Sequence, residues 1–263
     1  MNTHKLTFQP SDAEPRAVAG RWQLWLLALL LHSTFLGINT PAQRRKPPAG
    51  GPIAVVVDER LSALRGTPRL TGKLLRRLGR GRLVAIRGIK KSPDGVFFFL
   101  VNVTSRTHGW IQREAVVSAT HQGDDQKLFR LINGSTDFER IARAQIFLDQ
   151  FPRSAMRPEV LLLFGDAAEG EAARLSRDAS RRLSEREQGS SDAPAFSYFL
   201  NYSGLDRYNR QGVDFIFDAA TKRFHYDGRA WREIVRRYAQ MPQANEARKR
   251  LRDLATVFQN SEP

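Results

Sequence analysis

Five histidines hold most of the proton chemistry this chain could offer: His4, His32, His108, His121 and His225. None stands in the H-E-x-x-H spacing that puts two imidazoles on one helix face around a metal. There is no G-x-x-x-x-G-K-[ST] phosphate loop and no G-x-S-x-G nucleophile elbow. The absence of cysteine from all 263 residues excludes disulfides, thiolate zinc sites and cysteine nucleophiles. His225, two residues before Asp227, could act as a base, but no nucleophile or phosphate loop accompanies it. A solvated loop is the plainer expectation for it. Asp214, Asp218, Glu169 and Glu171 fall among arginines in what reads as helix, where surface ion pairing is expected. The residues give no enzyme, no metal site and no cofactor.

Charge offers more. The chain carries 42 basic and 27 acidic residues, a formal net charge of +15. Residues 53–120 hold 13 basic against 4 acidic side chains, whereas 121–188 hold 11 against 12. Only 8 of the 42 basic residues are lysine, so part of the arginine surplus follows codon bias rather than function. Arg76, Arg77, Arg80 and Arg82 crowd the turn before one expected strand, and Arg87, Lys90 and Lys91 the turn after it. Either they form a solvated rim, or they bind an anionic surface.

An aromatic run is the other candidate. In Val96–Val103, Phe97, Phe99, Val101 and Val103 share one face of a strand, and Phe98 and Leu100 the other. With Val101 facing inward, Phe98 and Leu100 point outward, and Trp110 can join them. An exposed apolar trio is either a groove for a peptide or glycopeptide, or a surface packed against a neighbouring domain. The second is the preferred reading.

These side chains need strands to position them. Ile53–Val57, Leu61–Arg65, Arg82–Ile86, Val96–Val103, Gly109–Ile111 and Ala115–Val116 read as short strands. Gly66, Pro68, Gly72, Gly79, Gly81, Gly88, Pro93 and Gly95 stand between or beside them, where turns need them. About sixty residues of this kind usually close into a small barrel.

The word order resembles the bacterial SH3-type domain family. Leu61-Ser62-Ala63-Leu64-Arg65 stands for its opening, Gly72-Lys73-Leu74-Leu75 and Arg80-Gly81-Arg82-Leu83 for its middle. Phe98-Phe99-Leu100-Val101 and Gly109-Trp110-Ile111 stand for its end. The sequence departs from the pattern at Ser62, where the family has Asn, and at Phe98, where it has Trp. The resemblance covers about a quarter of the chain. It implies a small SH3-like β-barrel and contact with cell-wall material or envelope proteins.

Upstream, Trp22–Ile38 is apolar with an unbroken centre at Leu24–Leu31. That is at the short end for a membrane span, and Arg44-Arg45-Lys46 follow closely. Residues 1–42 therefore read as a signal peptide or an N-terminal membrane anchor, and 43–52 as a Pro/Gly/basic linker. Residues 53–118 form the expected barrel.

After it the hydrophobic period turns helical. Asp124 or Asp125 can cap a helix through Ile132, and Thr136-x-x-Glu139 is a capping box opening a second. Phe138, Ile141, Ala144, Leu148 and Phe151 form its apolar stripe, and Pro152 ends it. Arg157–Leu183 is a long Ala-rich stretch with a break expected at Gly170. Gly189–Ala195 reads as a loop, Leu205–Phe217 as helix, and Ala230–Tyr238 with Asn245–Phe258 as a last helix pair. The punctuation Phe151-Pro152 echoes Tyr238…Pro242 and resembles tetratricopeptide-type hairpins, so 124–259 is expected to be helical-repeat-like.

The fold class expected is thus α+β and multidomain: a small barrel followed by a helical-repeat-like domain. The function expected is that of an exported, envelope-associated binding or scaffold protein. Two alternatives stand beside it, a cytoplasmic polyanion-binding protein and an enzyme with an unrecognised site in the helical half. Nucleic acid suits the charge, but export argues against it and no recognition helix or RNP-like strand is visible.

Overall fold

A β-branched run buried on both of its faces joins the two halves of the molecule. Strand β1 (Ile53–Val56) sends Ala54 and Val56 into one apolar core, and Val55, with Val57 just beyond it, into another. Alternation along a strand makes this possible, because neighbouring side chains leave opposite faces. The computed structural model describes residues 48–187 and 193–259. The apolar segment 22–38, residues 43–47 of the linker, and most of the 189–195 loop lie outside the described residues.

The other strands are β2 (Ala63–Arg65), β3 (Leu74–Arg77), β4 (Leu83–Lys91), β5 (Phe97–Asn102), β6 (His108–Gln112) and β7 (Val116–Val117). They form one antiparallel sheet in the order β3-β2-β6-β5-β4-β1-β7. Strands β3 and β7 are its edges, so the sheet does not close. The first core lies on one of its faces and holds Leu64, Leu78, Val84, Phe99, Val101 and Ile111 with Ala54 and Val56. A short 3-10 turn, Arg113–Ala115, swings the chain from β6 into β7, which returns to pair with β1.

Two boundaries differ from the expectation. Arg76 and Arg77 belong to strand β3 rather than to a turn, and Lys90 and Lys91 lie within β4 rather than after it. The reason is a register shift between Ile86 and Gly88, which lets β4 run on beside β5 past the glycine.

The second core is helical. It is built on α1 (Asp124–Asn133), α2 (Asp137–Gln150) and α3 (Arg157–Glu187). Leu128, Ile132, Ile141, Ala144 and Phe147 join Val55, Val57 and Val117 in one cluster. The sheet and the helices therefore form one compact unit. Arg143 of α2 ties them further: it is buried, its Nε donates to the Val57 carbonyl at 3.2 Å, and its Nη1 donates to the Ser135 hydroxyl.

Thr136 is the N-cap of α2, as its sequence predicts, although its side chain makes no capping hydrogen bond. Helix α1 starts after Gly123 in a left-handed conformation, and the Asp124 carboxylate accepts the Ser118 backbone N–H at 2.8 Å instead of capping. Helix α3 runs unbroken through Gly170, where a break was expected.

The expected helix over Leu205–Phe217 is absent. That stretch contains a 3-10 turn, a single helical turn α5 (Asp206–Asn209), and strand β8 (Phe215–Asp218), which pairs with β9 (Arg223–Tyr226). The short helix α4 (Ala195–Leu200) precedes them; α6 (Arg229–Arg237) and α7 (Pro242–Gln259) follow, as expected. Among the described residues no helix is long and apolar enough to cross a membrane.

Candidate functional site

Two tight turns at one end of the large sheet make a cleft of about 520 Å³, lined by Thr67, Pro68, Arg69, Lys90, Lys91, Ser92 and Pro93. The turn joining β2 to β3 is fixed by backbone bonds, Gly66 N–H to the Lys73 carbonyl at 2.9 Å and Gly72 N–H to the Arg69 carbonyl at 3.0 Å. Gly72 is required there, since a Cβ would come within 2.4 Å of the Thr67 Oγ1. Arg65 reinforces the turn by donating to the Gly72 carbonyl at 2.7 Å. Across the cleft, Ser92 N–H donates to the Val96 carbonyl at 2.8 Å, and Gly95 takes a φ of +82°.

The electrostatics of the sheet are one-sided. Asp58 is held by Arg60, and Glu59 by the backbone N–H of Arg80 at 2.8 Å. Asp94 is engaged by the Ser92 hydroxyl within its own turn. Arg69, Lys73, Arg76, Arg77, Arg87, Lys90 and Lys91 are exposed, and among the described residues none makes an ion pair. The Lys91 ammonium lies 5.5 Å from the centroid of the Phe97 ring, a cation–π distance. Ile89 and Phe97 are exposed beside it.

The arginines singled out by sequence divide into two pairs. Arg76 and Arg77 are exposed on the edge strand β3. Arg80 is instead largely covered and pairs with Glu139 of α2 at 2.7 Å, while Arg82 donates to the Val103 carbonyl at 3.3 Å. Those two brace the fold.

The aromatic trio is neither an exposed groove nor the surface that meets the helices, which was the preferred expectation. Phe98 is completely buried, and it belongs to neither apolar core cluster. Leu100 and Trp110 face one another across β5 and β6, each half-buried. The contact with the helices is made from the same face of the sheet, but by Val55, Val57 and Val117. Alternation gave the face correctly. Which strands of that face are covered depends on where the helices dock, and no local pattern carries that.

His225 is the other correction. It is buried in strand β9, not in a solvated loop, and its Nδ1 lies 2.9 Å from a carboxylate oxygen of Glu169 on α3. The other Glu169 oxygen accepts the Tyr226 backbone N–H at 2.7 Å, and Ser176 Oγ accepts that of Phe224 at 2.8 Å. Two α3 side chains seven residues apart thus satisfy the outer edge of β9. Glu171 is likewise buried rather than surface-paired: it accepts from the Tyr208 hydroxyl and from Arg174. Burial first, and then this bond, push the Tyr208 hydroxyl above its ordinary pKa. Asp214 and Asp227 pair with Arg229, and Asp218 caps the β8–β9 turn through the Ala220 N–H and the Thr221 hydroxyl.

Sequence reading missed this hairpin. The available signal was the strand-like Phe-Ile-Phe-Asp and Arg-Phe-His-Tyr runs on either side of a four-residue turn. No family model matches the sequence, and no curated protein or solved structure matches it either. Among the described residues no group of three or more histidines and carboxylates could hold a metal ion.

Proposed function

We propose that this chain is a non-enzymatic binding or scaffold protein, with the large sheet as its ligand-facing module and the helices as its brace. The observation that carries the reading is the end of the sheet where Arg69, Lys90 and Lys91 line a cleft and, among the described residues, have no carboxylate partner. Cations presented on a strand and on a hydrogen-bonded turn are ready to bind an anion. Exposed Phe97 and Ile89 add apolar contact area beside the charge.

The ligand class that fits is an anionic, partly apolar chain such as the carboxylate-bearing peptides of cell-wall material. The SH3-type resemblance of residues 51–116 points the same way. It is supported by the β4–β5–β6 meander, the 3-10 turn before β7 and the return of β7 to β1. The helix–turn–helix pairs α2–α3 and α6–α7 support a helical-repeat-like brace. The apolar segment 22–38 supports export, with the chain either released or held at the envelope by an N-terminal anchor.

Sedimentation of the full chain with purified peptidoglycan tests the reading. Binding should be saturable and should weaken from 50 to 300 mM salt, roughly as screening of exposed charge requires. The triple change Arg69→Ala, Lys90→Ala and Lys91→Ala should abolish it without changing the unfolding midpoint. Undiminished binding by that variant would overturn the assignment of this cleft. Absence of any binding by the wild type would overturn the ligand class.

A further inference from the structure

A second cleft, of about 740 Å³, opens where the β8–β9 turn meets the middle of α3. One wall is helical, with Glu169, Ala173, Ser176, Arg177 and Arg181; the other is Thr221, Lys222, Arg223 and His225. We infer that this cleft binds a small phosphorylated molecule through Arg177, Lys222 and Arg223.

The acidic groups of the cleft are already committed. Glu169 spends one oxygen on His225 and the other on the Tyr226 N–H, and Asp178 is paired with Arg181. Ser176 and Thr221 are also engaged, with the Ala172 carbonyl and Asp218 respectively. What remains is positive. Arg177, Lys222 and Arg223 are exposed and make no ion pair among the described residues. They come from both walls, so one anion can meet charges from two directions. Guanidinium groups match the paired oxygens of a phosphate with two parallel hydrogen bonds, and a lysine adds a point charge.

One feature goes beyond charge. Lys222 holds a left-handed backbone, with φ of +55°, where glycine is the easy residue. The turn thus places an ammonium where an uncharged residue would fit with less strain. The volume suits a ligand larger than a bare phosphate, of the size of a phosphorylated sugar or nucleoside.

Titration calorimetry of the full chain with inorganic pyrophosphate tests the inference. One saturable site is expected. Arg177→Ala with Arg223→Ala should weaken it roughly tenfold or more, the scale of losing charged hydrogen bonds. Lys222→Gly suits the left-handed turn, keeps the fold, and should weaken it too. Lys90→Ala with Lys91→Ala, at the far sheet cleft, should leave it unchanged. Three results would overturn the inference: no saturable heat, equal loss in the Lys90/Lys91 variant, or binding untouched by the Lys222 and arginine changes. Citrate binding as tight as pyrophosphate would overturn the phosphate class, since three carboxylates then serve as well.

Discussion

Gly165 of α3 lies against the indole of Trp231 on α6, so closely that a Cβ at 165 would fall 2.4 Å from the Trp231 Nε1. Trp231 is buried, and it stacks edge-on to Tyr226 of β9 with ring centroids 5.4 Å apart. One missing side chain therefore sets the spacing of three elements: α3, α6 and the hairpin that carries His225.

Gly165→Ala is expected to lower stability by about 1–3 kcal/mol, the usual cost of overpacking a tight interior, despite the better helix propensity of alanine. Urea unfolding monitored by tryptophan fluorescence reads this. If alanine is neutral or stabilising, α3 and α6 are not held at this separation.

Acid should remove one identifiable contribution. The Arg60 guanidinium holds the Asp58 carboxyl below its ordinary value, against the upward push of burial and with help from the Arg60 backbone N–H. A carboxyl depressed in the folded state stabilises above its unfolded pKa, about 3.9, and that contribution disappears as pH falls through the folded value. Asp58→Asn should therefore lower stability at pH 7 and flatten the loss of stability between about pH 5 and 2. Parallel acid limbs in the two proteins would show that Asp58 is not depressed.

The face of the sheet that carries Phe98 can be dissected by two substitutions. Phe98 is fully buried, so Phe98→Ala should cost about 3–5 kcal/mol. Trp110 is only half-buried, so Trp110→Ala should cost clearly less. Denaturant midpoints measured side by side decide this, and equal losses would mean that Trp110 carries as much packing as Phe98.

The sequence alone determined those elements whose apolar pattern is long and regular. The Ile53–Val57 run, the Val96–Val103 alternation, the Thr136 start of α2 and the last helix pair all stand close to where local chemistry puts them. It also located the positive charge, because counting cations needs no coordinates. Local pattern failed where partners come from far away. Phe215–Asp218 forms a strand since Arg223–Tyr226 returns beside it and Ser176 and Glu169 of α3 accept the outer N–H groups of β9, from 48 and 57 residues away. His225 is buried for the same reason. Phe98 and Val55 point from the same face of one sheet, yet only Val55 joins the helical core. A strand's period fixes the direction of a side chain; what lies in that direction is decided by the docking of distant elements, which only the tertiary structure contains.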